Sequence, residues 1–424
     1  MTNKYDAIVI GAGISGLTAT IHLQNEGLNT LLIEASDRVG GRVKTDNLNG
    51  FKLDRGFQVL LTAYPEAQKI LDYKALKLKN FYPGSKIYYA GKTYTMADPR
   101  RKLVDSMRTF SVPFINFGDK LKVLALRNRT KRLSVEDVFT QEETSTLEYL
   151  SEWNFSKSMM QSFFKPFLGG IFLEDDLTTS SRMFEFVFKM FSSGYASLPE
   201  EGIEAIPRQL AAKIKPESIL LNTPVKMIDQ GRVILEDGRE LNTSSILLAT
   251  DAQTTASLLP QHPIETESNS VRCLYFSAPK APFKEPALLL NGSGHGWINN
   301  IAIPTNLHKK QAPDGRALIS ITVVKEGMPL DATDLYTSVR RELKDWFGEE
   351  VVEEWTHLKT YEILNALPRK KTLTISKDNN IKAIEKGVFL CGDFTQDPSL
   401  NGAMRSGRQA ANAISWDLAL AVNR

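Results

Sequence analysis

The sequence predicts an α/β fold: a Rossmann-like nucleotide-binding domain with an inserted α+β domain. Three observations predict it. The chain opens with a buried strand, a glycine-rich turn and a helix, followed by a second buried strand that ends in an acid (YDAIVIGAGISGLTATIHLQNEGLNTLLIEA). It closes with a strand that runs through a loop into a helix (GVFLCGDFTQDPSLNGAMRSGRQAANAI). Between them, residues 65–200 are rich in phenylalanine and methionine and read as mostly helical, whereas residues 268–366 alternate as strands do.

Each element has its own signal. Residues 5–10 (YDAIVI) and 30–34 (TLLIE) are short apolar runs of strand length, and residues 14–26 place Ile14, Leu17, Ile21 and Leu23 on a helix. Residues 219–228 and 231–236 read as a strand pair, residues 244–250 (SSILLAT) as a buried strand, and 387–393 as a strand running into a loop. Residues 402–420 carry Met404, Ala410, Ala411, Ile414 and Leu418 on a final helix. The nucleotide domain is therefore expected to be discontinuous, over 1–64, 202–260 and 370–424. The second domain takes 65–201 and 261–369.

Composition narrows the function classes. A chain of 424 residues with 42% hydrophobic and 24% charged residues is an ordinary folded composition, which excludes disorder, fibre and coiled coil. A net charge of +3 gives no reason to expect nucleic acid. Two cysteines build no disulfide framework, and five scattered histidines suggest no metal. No secretory signal or membrane-spanning run is readable, so a cytoplasmic protein is expected, with peripheral membrane contact left open.

The strongest motif is Gly11, Gly13 and Gly16 between strand and helix. Gly11 permits the tight turn, Gly13 lets a pyrophosphate approach the backbone, and Gly16 lets helix and sheet pack closely. A phosphate would sit on the helix N-terminus, beside Ile14 and Ser15. Glu34, followed by Ala35, stands where an acid can accept hydrogen bonds from a ribose diol. Arg38, Gly40, Gly41 and Arg42 come next; a glycine pair allows close backbone approach and an arginine can neutralise a diphosphate.

This run, from the glycine triplet through the acid to R-x-G-G-R, resembles the flavin-binding superfamily of monoamine oxidases, protoporphyrinogen oxidases and phytoene desaturases. The resemblance implies a domain of the glutathione-reductase type that binds FAD. The C-terminal stretch is similar to the same superfamily's second FAD motif. It implies contacts from Gly392 and Asp393, and from Gly402, Ala403 and Met404 at the flavin edge. The resemblance also implies roles for Val225 and Thr250 near the adenosine, and for Gly56, Phe57 and Gln58 along the flavin. Core packing explains the last two equally well. Cys391 lies inside a strand pattern, so FAD is expected to be held non-covalently.

No second glycine-rich nucleotide module is present, so reduced cofactor is expected to pass electrons to oxygen or a quinone. The loop QDPSLNGAM lacks the aromatic that amine-oxidising relatives place there, which favours dehydrogenation of a hydrophobic, isoprenoid- or carotenoid-like substrate. An amine oxidase or protoporphyrinogen oxidase-like enzyme remains an alternative, as does a flavin-binding carrier without turnover. No catalytic residue is identifiable. Phenylalanines at 163, 164, 167, 172, 184, 186, 188 and 191 suit either a core or a substrate tunnel. Residues 100–132 hold ten basic residues and two acids, with Phe110, Phe114 and Phe117 among them; a solvated face and a membrane-surface patch are both open.

Overall fold

The computed structural model describes residues 4–97, 112–229, 231–324, 331–373, 381 and 383–422. Strand β1 (Lys4–Ile10), helix α1 (Ile14–Asn25) and strand β2 (Thr30–Ile33) form the expected opening unit. β1 pairs in parallel with β2 on one side and with Glu240–Leu248 on the other. Val388–Leu390 pairs in parallel with Glu240–Leu248, and Ile219–Leu220 pairs in parallel with β2. The antiparallel hairpin Val225–Asp229/Arg232–Leu235 joins the other end of Glu240–Leu248.

This sheet is buried on both faces, as its unbroken apolar strands require. Ile8, Ile10, Leu31, Ile33, Ile246 and Leu248 pack on one face. Ala7, Val9, Leu32 and Leu247 point the other way, toward α1 and the C-terminal helix Leu400–Val422. The two helices touch at Gly407, where an added Cβ would lie 2.2 Å from the carbonyl oxygen of Ser15.

A second seven-stranded sheet has the order Thr356–Pro368, Ser268–Ala278, Ala317–Val323, Ile298–Ala302, Leu288–Asn291, Gly84–Tyr89, Lys92–Ala97. Its pairing is antiparallel except between Leu288–Asn291 and Gly84–Tyr89. Helix Ala332–Phe347 covers one face through Leu335, Val339 and Leu343. The helical layer contains Phe117–Arg132, Thr146–Glu152, Lys165–Phe172 and Ser181–Ser193. A π-helical turn, Met160–Phe164, leads into the third of these.

Three local expectations change. Residues 65–200 are not helical throughout, because SKIYYAGKTYTMA forms a hairpin. Its turn residues Ala90 (φ 48°) and Gly91 (φ 74°) adopt the positive φ values that suit a tight two-residue turn. The alternating stretch 268–366 contains the helix Ala332–Phe347, capped by Asp331, whose carboxylate accepts from the N–H groups of Thr333 and Asp334. Residues 219–228 split in two. Ile219–Leu220 borders β2, and the chain leaves that edge through Asn222 (φ 50°) before starting the hairpin at Val225.

Candidate active site

One cavity of about 1510 Å³ is lined both by the glycine-rich segments of the parallel sheet and by the phenylalanine-rich helices. It begins where β1 separates from its two neighbours. Gly11 (φ +103°) donates its N–H to the Ile33 carbonyl at 2.7 Å, and a Cβ there would meet the Ala249 oxygen at 2.8 Å. A Cβ on Gly16 would lie 1.9 Å from the Gly11 oxygen, so this glycine lets helix and turn pack and does not line the cavity. Gly13 differs: it lines the cavity, and a Cβ on it would meet nothing within 4 Å.

Gly13 is also the N-cap of α1, and no side chain caps that helix. The first turn therefore offers N–H groups to an anion, with Ile14 and Ser15 on the wall beside it. Gly40 and Gly41 line the same space; Gly41 (φ +58°) comes so near that an added Cβ would lie 3.3 Å from the Cα of Gly13. Glu34 and Ala35 line the cavity too. The Glu34 carboxylate accepts from the Ala12 N–H at 2.8 Å, and from the N–H and hydroxyl of Ser36 at 3.0 and 2.6 Å. It thus anchors the end of β2 to the glycine turn. Val225 and Thr250 complete this end of the wall.

Arg42 and Asp393 join the two ends of the chain. Arg42 Nη2 donates to Asp393 Oδ1 at 2.6 Å, and Nη1 donates to the Ala366 carbonyl at 3.0 Å. Both residues line the cavity, as does Gly392. The charge of Arg42 is therefore met by a carboxylate, where a diphosphate was expected to meet it. Arg38 departs further from expectation. It lies off the cavity and bridges Asp46 (2.7 Å) and Glu204 (3.2 Å), holding the Thr45–Asp54 hairpin to the Glu204 segment.

Gly56, Phe57 and Gln58 are on the wall. Gln58 Nε2 donates to the carbonyls of Arg42 and Arg55, both at 3.0 Å, and so fixes the loop around Arg42. Nearby, Asp46 accepts from Arg55 at 3.0 Å and from the Tyr361 hydroxyl at 2.7 Å. Burial would raise its pKa, but these bonds and the one from Arg38 hold its carboxyl well below the usual range. Asp46, Arg55, Lys359 and Tyr361 all line the cavity. Sequence reasoning missed this cluster, and no motif marks it.

In the C-terminal motif, Ala403 reaches the wall but Gly402 and Met404 do not. The N–H of Gly402 is taken by the Ser399 hydroxyl at 3.0 Å, and a Cβ on Gly402 would sit 1.9 Å from the Asp397 oxygen. Met404 is fully buried. The loop before this helix is held by the buried Asp397–Arg405 ion pair, with the Arg405 guanidinium 5.1 Å from the centre of the Phe139 ring. Neither cysteine lines the cavity. Burial pushes the Cys391 thiol up to about 12 and the Cys273 thiol up to about 11, which leaves both protonated and poorly nucleophilic.

The helical end is apolar. Phe163, Phe167, Phe188 and Phe191 line it, whereas Phe164, Phe172, Phe184 and Phe186 are buried away from it. Among polar side chains, Asn300 donates to the Thr322 hydroxyl at 3.3 Å on the sheet side of the wall. Phe117 (68% exposed), Leu121 (52%) and Leu124 (40%) line the cavity and also face outward, marking its mouth. Of the basic 100–132 stretch, residues 100–111, with Phe110, lie outside the described residues. Phe114 is buried, its ring 4.8 Å from that of Tyr89, and is no interfacial residue.

Comparisons with known proteins agree with this geometry. The model of a family described as flavin containing amine oxidoreductase matches residues 14–415. Protoporphyrinogen oxidase 2 (chloroplastic/mitochondrial) of Arabidopsis thaliana is 30% identical over 176 residues, covering 41% of this chain and 34% of that protein. Coproporphyrinogen III oxidase of Bacillus subtilis is 21% identical, covering 80% of this chain and 83% of that one. Among solved structures, a putrescine oxidase triple mutant superposes with TM-score 0.72 at 18% identity, over 97% of this chain and 99% of its own. Cyclohexylamine oxidase from Brevibacterium oxydans IH-35A gives TM-score 0.68 at 18% identity, over 98% of this chain and 100% of its own.

The residues present fit FAD. A capless helix N-terminus faces the cavity, an acid ends the second strand, and a Cβ on Gly13 would fill the space between them. From glycine turn to C-terminal helix, the chain belongs to the flavin-containing amine oxidoreductase family and is an FAD-dependent oxidoreductase.

Proposed function

We propose that this enzyme dehydrogenates a hydrophobic substrate of isoprenoid or carotenoid type. The observation that carries the reading is the continuity of one cavity from the glycine turn to a wall of Phe163, Phe167, Phe188 and Phe191. Apolar walls of this kind bind by excluding water, and a few placed polar groups fix orientation. When bound, FAD supplies the acceptor for the hydride equivalent; the protein supplies position and a dry environment. In this reading α1, Gly13, Gly41 and Glu34 hold the adenine dinucleotide part non-covalently. Arg42 and Asp393, joined at 2.6 Å, close the wall next to the ring-binding segments Gly56–Gln58 and Ala403. Residues 1–64, 202–260 and 370–424 make up the FAD domain, and the remainder makes up the substrate domain.

A second reading, oxidation of a porphyrinogen, is favoured by the porphyrinogen oxidases among the relatives. Lys120 and Arg127 line the helical end of the cavity and would suit the carboxylates of such a ring. The two readings separate by anaerobic mixing of the flavoprotein with a polyene, a porphyrinogen and a primary amine while flavin absorbance is followed. Bleaching by the polyene alone supports the first reading. Bleaching only by the porphyrinogen or the amine refutes it.

The mouth supports contact with a lipid surface. Phe117, Leu121 and Leu124 expose an apolar stripe at helical spacing, with Lys120 beside it. Lys122 and Arg129 are engaged elsewhere, with the Asn154 carbonyl and with Glu185, so this reading rests more on apolar burial than on charge. No helix among the described residues is long and apolar enough to cross a membrane. Replacing Phe117, Leu121 and Leu124 by serine should abolish co-sedimentation with vesicles at any salt concentration. Undiminished binding would remove the mouth from the interface.

A further inference from the structure

A second recess, of about 260 Å³, lies on the far side of the C-terminal helix from the FAD cavity. Ala403 faces the large cavity, whereas Met404 and Arg408 of the same helix face this one. α1 contributes Thr18, Ile21, His22 and Asn25, and Glu66, Lys69, Ile70 and Lys213 complete the wall. None of the residues at the apolar mouth takes part.

Counting donors and acceptors identifies what this recess lacks. Its single carboxylate, Glu66, already accepts three hydrogen bonds. Oε2 accepts from Arg408 Nε at 2.8 Å, and Oε1 accepts from Arg408 Nη2 at 2.9 Å and Lys69 Nζ at 3.0 Å. The donors are far from used up. Arg408 retains about three of its N–H groups, and Lys69 retains about two. Lys213 donates once, to the Ile70 carbonyl, and has about two more N–H groups to give. The Thr18 hydroxyl is already bonded to the Ile14 carbonyl, so it brings no acceptor demand. The imidazole of His22 has no hydrogen-bond partner among the described residues.

Charge points the same way. Lys69, Lys213 and Arg408 bring three positive charges against the one negative charge of Glu66. Burial first, and then the field of Arg408, lowers the pKa of His22, with Glu66, Glu26 and Lys69 as its other charged neighbours. A guest carrying negative charge and several acceptor oxygens would satisfy every one of these groups. The volume is below the ~300–1,000 Å³ of sites for drug-sized ligands, so that guest is small.

We infer that the recess is a binding site for a small phosphate-type oxyanion, held by Lys69, Lys213, Arg408 and His22. The inference is independent of the substrate assigned to the large cavity. The anion takes up donors that Glu66 leaves over, and His22 contributes the ring N–H that even a neutral imidazole carries.

The test uses the FAD-loaded protein, so that the glycine turn is already filled. Inorganic phosphate and glycerol phosphate are titrated calorimetrically at pH 7, with sodium chloride holding ionic strength constant. The expected result is saturable one-to-one binding of at least one of them. Affinity should fall at least tenfold in Lys69→Gln/Lys213→Gln, two exposed positions whose replacement should leave flavin absorbance unchanged. A stronger response to glycerol phosphate would identify an esterified ligand, and an equal response a free phosphate; both support the site. His22→Gln, which keeps a donor, should bind within threefold of wild type, whereas His22→Leu should not. Absence of saturable binding above the chloride control overturns the inference. So does binding that the double lysine variant retains in full.

Discussion

Asp54→Asn should make the protein more stable at neutral pH and abolish part of its pH dependence. Asp54 is buried at the end of the Phe51–Asp54 strand, where Oδ1 accepts from the Thr45 hydroxyl at 2.6 Å and the Ile203 N–H at 3.0 Å. Burial raises its pKa from 3.8 to about 6, against the opposing effect of those two bonds and with help from the nearby charge of Glu204. The native state therefore binds the proton more tightly than the unfolded chain does. Below about pH 4 both states hold it and there is no penalty. Between about pH 4 and 6 the penalty grows, and above about pH 6 it is constant. With ~1.4 kcal/mol for each pH unit separating the two pKa values, ionised Asp54 costs about 3 kcal/mol at neutral pH. Asparagine keeps the accepting oxygen and carries no charge. Urea unfolding of the FAD-loaded protein at pH 5.0 and 7.5 measures the effect. The variant should gain roughly 2–3 kcal/mol over wild type at pH 7.5 and about half as much or less at pH 5. An equal stability difference at both pH values would show that Asp54 does not titrate in this range, and the burial argument would fail.

Other perturbations read the cofactor cradle. Glu34→Ala removes the acceptor at the end of β2 and three bonds to Ala12 and Ser36, so FAD affinity should fall by about ten- to a hundredfold, at ~1.5–3 kcal/mol for a charge-assisted bond. Equilibrium dialysis of FAD checks it, and unchanged affinity would move the adenosine away from Glu34. Gly13→Val and Gly16→Ala should part company. The first projects into open cavity at an ordinary φ of −71°, so the apoprotein should fold as wild type but hold little flavin. The second forces a methyl to within 1.9 Å of the Gly11 oxygen and should depress the apoprotein's own Tm. Equal loss of Tm in both variants would refute the separate roles given to the two glycines.

The parts of the fold that sequence revealed are those where backbone geometry dictates residue type. Gly11 needs a positive φ, Gly16 needs no side chain, and Glu34 must sit at the end of a strand; all three constraints are local and all leave a mark. Arg38 and Arg42 show where that legibility stops. Both belong to one short motif, yet Arg42 turns to Asp393, 351 positions away, and Arg38 to Glu204, 166 positions away. The motif specifies an arginine, and its partner is set only by tertiary packing. The Asp46–Arg55–Tyr361 cluster is opaque for the same reason, since its hydrogen bonds span as many as 315 positions. The helix Ala332–Phe347 was legible in principle: Leu335, Val339 and Leu343 repeat at helical spacing inside a region otherwise read as strands.

The phenylalanine-rich segment poses the hardest case, because the same residue type serves two purposes on adjacent faces of one helical run. Phe163, Phe167 and Ile171 follow one another at four-residue spacing and line the cavity. Phe164, Leu168 and Phe172 follow at the same spacing, one residue later, and are at most 1% exposed in the core. Helical periodicity brings residues four apart onto one face, but it does not say which face meets a ligand. Energetics can. Phe164 packs between Phe155 (4.7 Å between ring centres) and Phe184 (6.4 Å), so Phe164→Ala should leave a cavity and cost about 3–5 kcal/mol of stability. Phe167 stacks on Phe163 and meets Phe191 at a tilt, both with ring centres 5.3 Å away, but its remaining side borders space that already exists. Phe167→Ala should therefore cost roughly 1–2 kcal/mol, since a cavity-wall ring loses fewer contacts than a buried one. Its larger effect should be on the substrate, seen as slower anaerobic flavin bleaching with FAD content unchanged. Urea unfolding and stopped-flow absorbance on the two variants make the comparison. If Phe167→Ala proves as destabilising as Phe164→Ala and leaves bleaching untouched, then both stripes are core, and the apolar end of the cavity is not where the substrate binds.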